Sequence, residues 1–331
     1  MNHLRLNVAL LRQRVPNLTV AASTVGLRPA TVSNLCTGKI PIGRAEVRTL
    51  AALAELADCS LDELVLRGSD VEMIETGIKV IDLFSPITRG GTIGFVARPG
   101  MGQLVVLAEI FHRMNLKGYP TILLMPRDEG LGIEEVINES KIVCKTIDEA
   151  YELITQMGEK ETIFLAADRQ MVLTGEIYSL IEKLQESGVT NLTTCLVDLR
   201  GEAVDVQEPY GPLDTLLQFD AELISRRIYP AINPVYSTSI LVEGANVDKI
   251  HMQTQQNARK MLRRYRELRF LASSYGFEHM AAADQDIYHK GQKLEAYLEQ
   301  PFLITVAFTN KEGVYTPLQE TLKEVQQLLN S

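Results

Sequence analysis

No stretch of the 331-residue chain is apolar for long enough to span a membrane. The opening MNHLRLNVALLRQR carries too short an apolar run for a secretory signal. The four cysteines, Cys36, Cys59, Cys144 and Cys195, are scattered, with no Cys-x-x-Cys pair and no histidine nearby at ligand spacing. They read as reduced thiols of a cytoplasmic protein rather than a disulfide framework. The five histidines are dispersed as well, so no metal centre is expected from them. Internal repeats and low-complexity tracts are also missing. A net charge of −9 argues against nucleic-acid binding by the molecule as a whole.

That charge is unevenly spread. Residues 1–48 hold Arg5, Arg12, Arg14, Arg28, Lys39, Arg44 and Arg48 against Glu46 alone, a net +6, which leaves −15 for the remainder. A basic module joined to an acidic one is the simplest reading. The basic segment has helical periodicity in five pieces: 4–14, 19–25, 28–37, 45–56 and 60–64. Pro29 suits the first turn of the third helix and Gly38 its C-terminal cap. Ser60 and Glu63 have capping-box spacing. Two short helices around Gly26 make a helix-turn-helix pattern.

Residues 67–71 read as a linker. From 72 to 250, apolar strands alternate with helices. Strands are expected at 92–96, 120–125, 162–167, 193–198 and 239–242. Helices are expected near 103–115, 132–138, 147–157, 175–187 and 213–225. This alternation implies a parallel sheet covered on both faces. From 251 to 331 only helix is expected, at 252–274, 284–299 and 316–329. The fold class is therefore α/β: a parallel-sheet core, a C-terminal helical domain, and an N-terminal all-α domain over residues 1–66.

The centre of the chain is strand 92–96, the loop Ala97-Arg98-Pro99-Gly100-Met101-Gly102, and a helix from Gln103. Strand, glycines and helix start together form a phosphate cradle, in which backbone N–H groups and the helix dipole face an anion. The usual pattern is Gly-x-x-x-x-Gly-Lys-Ser/Thr. Here its fixed positions hold Ala97, Gly102, Gln103 and Leu104.

Glu75-Thr76-Gly77-Ile78-Lys79-Val80-Ile81-Asp82-Leu83 closely resembles the stretch that leads into the nucleotide loop of the rotary ATP synthase beta subunit. Arg227-Ile228-Tyr229-Pro230-Ala231-Ile232-Asn233-Pro234 and Leu298-Glu299-Gln300-Pro301-Phe302 follow in that family's order. The resemblance runs from about Glu72 to Leu329 and implies that the parallel sheet is of the phosphate-loop, recombinase-like kind. It implies a base pocket made by Tyr229, Phe302 and Phe308, with phosphates held by Arg98, Gly100, Gly102 and Gln103. It also implies a metal position at Asp168, with Asp198 its rival, and a catalytic-glutamate position at Arg127, beside Asp128 and Glu129. The family's acidic lever corresponds to the mostly apolar stretch Phe277 to Asp284. Residues 1–66 resemble the phage-repressor type of DNA-binding domain, which implies that Arg28, Ala30, Thr31, Ser33, Asn34 and Lys39 face DNA.

Gln103 in place of lysine removes a positive charge, and Leu104 in place of the metal-binding hydroxyl removes an oxygen ligand. Both are needed for phosphoryl transfer. The expectation is a DNA-binding regulator with a pseudo-ATPase body, which self-associates and takes ATP or ADP weakly and without Mg²⁺. The alternatives are an assembly protein that docks with itself or with ATPase subunits, and a weak ATPase. No membrane insertion is expected.

Overall fold

The computed structural model describes residues 4–15, 18–36, 40, 42–67, 72–127, 132–158, 162–205, 210, 213–244 and 246–330. The first segment comprises β1 (Leu4–Leu6), α1 (Val8–Arg14), α2 (Leu18–Thr24), α3 (Pro29–Cys36), α4 (Val47–Leu56), α5 (Leu61–Leu64) and β2 (Val65–Arg67). The first helix was expected to start at residue 4. Instead Leu4–Leu6 pairs antiparallel with Val65–Arg67, and Asn7 caps α1 by accepting the Leu10 N–H at 3.1 Å. Arg67 thus belongs to β2 rather than to the linker, and 68–71 lie outside the described residues. The Ser60–Glu63 capping box forms as its spacing predicts, with both reciprocal bonds present. Leu11, Leu18, Ala22, Val32, Leu35, Leu53 and Leu64 build a small core of their own.

The body begins with β3 (Met73–Ile74), α6 (Lys79–Phe84), β4 (Ile87–Thr88), β5 (Thr92–Val96), α7 (Gln103–Leu116), β6 (Thr121–Leu124), α8 (Ile133–Glu139) and β7 (Ile142–Cys144). It continues with α9 (Ile147–Met157), β8 (Ile163–Asp168), α10 (Arg169–Leu173), α11 (Glu176–Glu186), β9 (Leu192–Val197), β10 (Thr215–Gln218), α12 (Ala221–Ser225), β11 (Thr238–Ser239) and α13 (Ile240–Glu243). The last elements are α14 (Lys249–Tyr275), α15 (Ala282–Leu298), α16 (Val306–Thr309) and α17 (Leu318–Asn330).

Seven strands form one sheet in the order β11-β10-β5-β9-β8-β6-β7. All neighbours are parallel except the β10–β11 edge. Strands β5, β6, β8 and β9 are buried at every residue, as a sheet with two covered faces requires. Their side chains alternate between two cores. Phe164 and Ala166 join the core that contains α7, α14, α15 and α17. Ile163, Leu165 and Ala167 join the one that contains α9 and α11.

Two sequence expectations fail at this edge. The segment 213–225 was expected as one helix but holds β10 and then α12. Thr215–Gln218 alternates buried and half-buried residues, a period of two that four residues hide. The expected strand 239–242 is the two-residue β11 followed by α13. Ser239 caps that turn, its Oγ accepting the Leu241 N–H at 3.3 Å.

Candidate functional site

The loop from β5 to α7 has the backbone of a phosphate cradle. Gly100 and Gly102 sit at φ +82° and +85°, where L side chains are strained. A Cβ at either would meet nothing within 4 Å, so conformation rather than space requires glycine there. Arg98, Pro99 and Gly100 are exposed. Two of the loop's own N–H groups are turned inward. Arg98 N–H donates to Met101 Sδ at 3.2 Å, and Met101 N–H to the Arg98 carbonyl at 3.3 Å.

Behind the loop lies the turn after β9. A Cβ on Gly201 would come within 2.6 Å of Pro99 Cδ and 3.0 Å of Arg98 Cα. Asp198 shapes that turn by accepting the N–H groups of Arg200 (3.1 Å), Gly201 (2.9 Å) and Ala203 (2.5 Å). Its carboxylate is engaged by backbone. Asp168, at the end of the adjacent β8, is 4% exposed and accepts the Leu199 N–H at 3.4 Å. Burial raises its pKa, against backbone hydrogen bonds that lower it, and Asp198 nearby raises it further.

Gln103 is 4% exposed at the start of α7, and Leu104 is packed into the core. These residues do not fit a phosphate-bound Mg²⁺. Leu104 offers no oxygen and Gln103 no charge, and Asp168 is the remaining carboxylate at that position. Among the described residues, no group of three His, Cys, Asp or Glu could hold a metal ion. Arg127, at the catalytic-glutamate position, pairs instead with Glu176 at 2.6 Å. Asp128 and Glu129 lie outside the described residues.

Of the aromatic trio, Tyr229 is 52% exposed and Phe302 is buried in the core at 6%. Phe308 belongs to α16, and its side chain lies outside what is described. The Tyr229–Pro230 peptide is cis, and the Tyr229 carbonyl accepts the Gln300 N–H at 3.0 Å.

The family-like stretches meet in a buried hub that sequence reasoning missed. Asp82 accepts the Thr76 N–H and Oγ1–H, both at 2.8 Å, and the Gly77 N–H at 2.6 Å. Burial nonetheless pushes its carboxyl up to about 7. Gln300 accepts the Lys79 N–H at 2.8 Å and donates to the carbonyls of Gly77 and Val314 at 2.8 and 2.6 Å. Arg113, 1% exposed, donates to Gly77 O and Val314 O, both at 2.7 Å, and pairs with Glu109 at 2.7 Å. Glu109 in turn accepts the N–H groups of Leu303 and Ile304, at 2.9 and 3.1 Å. The one signal in the sequence is a charged i, i+4 pair inside an otherwise apolar stretch of helix.

In the N-terminal segment, α3 is two-sided. Arg28, Ala30 and Ser33 are exposed and Thr31 and Asn34 half-buried, while Val32, Leu35 and Cys36 face the core. Lys39 lies outside the described residues. Between α3 and α4 runs a groove of about 480 Å³ lined by Arg28, Thr31, Arg44, Arg48 and Thr49, among others. Its three arginines are exposed and form no ion pair among the described residues. Arg14 is engaged instead, its guanidinium donating to the Asp58 carbonyl at 2.5 Å.

No helix among the described residues is long and apolar enough to cross a membrane. No known family model matches the sequence. A solved structure described as that of a unique ATP synthase subunit, NeqB, from Nanoarcheaum equitans superposes with a TM-score of 0.62 at 16% identity, covering 78% of this chain and 76% of that one. At that identity the likeness is one of fold, and the body of this chain has an ATP-synthase-subunit-like α/β fold.

Proposed function

We propose that this chain is a DNA-binding regulator, with a helix-turn-helix module at its N-terminus and a self-associating, catalytically inactive ATP-synthase-like body. The observation that carries this reading is the set of exposed arginines Arg28, Arg44 and Arg48 around the outward face of α3, which form no ion pair among the described residues. They sit in a segment of net +6 on a chain of net −9. Such arginines have no ion pair among the described residues to break before they meet phosphates, and phosphate contacts supply most sequence-independent affinity. Arg28, Ala30, Thr31, Ser33 and Asn34, with Lys39, would meet base edges, and Arg44 and Arg48 the backbone.

The body's part in this reading is a scaffold with a weak nucleotide site. Arg98, the N–H groups of Gly100, Gly102 and Gln103, and the exposed ring of Tyr229 would take ATP or ADP without Mg²⁺, with Phe302 and Phe308 behind. Asp168 would hold no metal, and no phosphoryl transfer would follow. Filter binding of the full chain to genomic fragments tests the main claim. Asn34→Ala is expected to weaken specific binding by about 1–3 kcal/mol. Arg44→Ala and Arg48→Ala are expected to weaken all sequences alike and flatten the salt dependence. No retention even at low salt would reject the regulator.

The fold likeness to an ATP synthase subunit favours a second reading, an assembly protein that docks with ATPase subunits. In that case DNA retention fails and co-purification with such subunits succeeds.

A further inference from the structure

A cavity of about 100 Å³ lies under α11, between that helix and the sheet. It sits at the opposite end of the strands from the phosphate loop. Thr92 and Leu192, which line it, open β5 and β9, whereas the phosphate loop and Asp198 follow the last residues of those strands. Its walls are apolar, with Ile177, Ile181 and Leu184 of α11 facing Val189.

Its floor is polar, and the strand pattern puts it there. Along β9, Leu192 and Leu196 join the core beneath α9 and α11, while Cys195 and Val197 join the other. Thr194 falls midway between the two leucines, so in a period of two it points to α11 as they do. Thr92 is its partner in the parallel register of β5 and β9. Two hydroxyl residues therefore stand side by side on one patch of sheet. Asp214, just before β10, reaches the same patch, its Oδ2 accepting the Thr92 N–H at 2.7 Å.

Thr194 is the residue that points to a ligand. It is 2% exposed and lines the cavity, and its hydroxyl has no hydrogen-bond partner among the described residues. Its neighbour Thr193, on the other face, accepts the Gly90 N–H at 3.0 Å. A buried hydroxyl without a partner is costly, so one that opens onto a cavity favours an occupant that bonds to it. Water suits the floor but not the walls, since an ordered water needs two to four polar partners and the aliphatic side chains offer none. Charge selects the head group. Of the residues around the cavity, Glu182 and Asp214 are acidic and none is basic. An ammonium brings three donors and no acceptor, and a carboxylate has room for about four hydrogen bonds, so Asp214 can accept one while keeping the Thr92 N–H.

We propose that this cavity binds a short primary aliphatic amine. Its ammonium donates to Thr194 Oγ1 and Asp214, and its alkyl chain lies along Ile177, Ile181, Leu184 and Val189. Volume sets the length. An apolar cavity of about 150 Å³ takes benzene, so one of about 100 Å³ takes about four or five heavy atoms. The site shares no residue with the DNA face or the phosphate loop and stands whether or not those readings do.

Saturation-transfer NMR of the full chain with n-butylammonium tests the site, with n-butanol and butyrate as neutral and anionic probes of the same length. The amine is expected to bind with Kd of roughly 0.1–10 mM, the range open to so few heavy atoms. Butanol should bind about tenfold more weakly or worse, and butyrate should not bind. Thr194→Val removes the hydroxyl at nearly constant shape and should weaken the amine by about tenfold. Because that hydroxyl has no partner to lose, the unfolding midpoint of the variant should not fall. Ile181→Phe, which adds bulk to the half-buried wall, should abolish binding. Butanol bound as tightly as the amine, or amine binding indifferent to Thr194→Val, overturns the proposal. So does the absence of transfer from all three probes at about 50 mM, well above the expected range, which would mean that water alone fills the cavity.

Discussion

The two ends of α7 stand in contrast. At its start, Gln103 and Leu104 occupy the positions where a phosphate loop needs a cation and a hydroxyl. Six and ten residues beyond Gln103, Glu109 and Arg113 form a buried, fully engaged ion pair that ties the helix to 76–77, 303–304 and 314. The stretches that resemble the ATP synthase beta subunit bond to one another: Thr76-Gly77 with Asp82, and Gln300 with Gly77 and Tyr229, while Arg113 holds the Thr76 and Gly77 carbonyls. A packing contact fails when either partner changes, whereas a ligand contact is lost without cost to the fold. The body therefore holds its hub firmly while its phosphate-loop positions lack a cation and a hydroxyl, and the pseudo-ATPase reading proposed above rests on that contrast.

The sharpest test of the contrast is a pair of arginines. Arg113→Ala should destabilise the chain by about 3–5 kcal/mol, because it leaves Glu109 charged, buried and without its cation. Arg98→Ala, on the exposed loop, should change stability by less than about 0.5 kcal/mol. Urea unfolding measures both, and comparable losses would erase the distinction between hub and loop.

A pair of glycines repeats the test with a smaller effect. Gly77 combines φ +72° with the Tyr315 ring, which lies 2.3 Å from where a Cβ would stand. Gly77→Ala should cost roughly 2–4 kcal/mol, adding overpacking to left-handed strain. Gly100→Ala carries the backbone strain alone and should cost about 1–2 kcal/mol.

A pH effect tests the hub in a third way. The native state holds a proton on Asp82 up to about pH 7, whereas the unfolded carboxyl releases it near the ordinary 3.8. The unfolded chain thus binds fewer protons through that window, so this contribution falls as pH rises from about 4 to 7 and is flat above. Asp82→Asn should flatten the stability profile over that range. A profile with the same slope would mean that the three donors to Asp82, rather than burial, set its charge.

Much of the architecture was legible because its signals are local. Strands such as Thr92–Val96 and Ile163–Asp168 are continuous apolar runs, and the Ser60–Glu63 box is a spacing of three. β10 was illegible because four alternating residues between polar turns look like the face of a helix. β1 was illegible because Leu4–Leu6 becomes a strand only when Val65–Arg67 lies beside it, some sixty residues later. In the site, the missing cation and hydroxyl were plain in the letters at 103 and 104. That Phe302 is buried while Tyr229 is exposed was not, since an aromatic letter carries no exposure. Nor was the hub, whose bonds reach from α7 to Val314.

Calorimetric titration of the full chain with ATP, with and without Mg²⁺, tests the central claim most directly. With Leu104 at the hydroxyl position and Asp168 buried, the account predicts that magnesium changes the affinity by less than about threefold, well under the 1.4 kcal/mol of a tenfold ratio. ADP should bind within about tenfold of ATP on the same scale. Tightening by more than about a hundredfold on adding Mg²⁺, with steady phosphate release at roughly 1–100 per second, would contradict it.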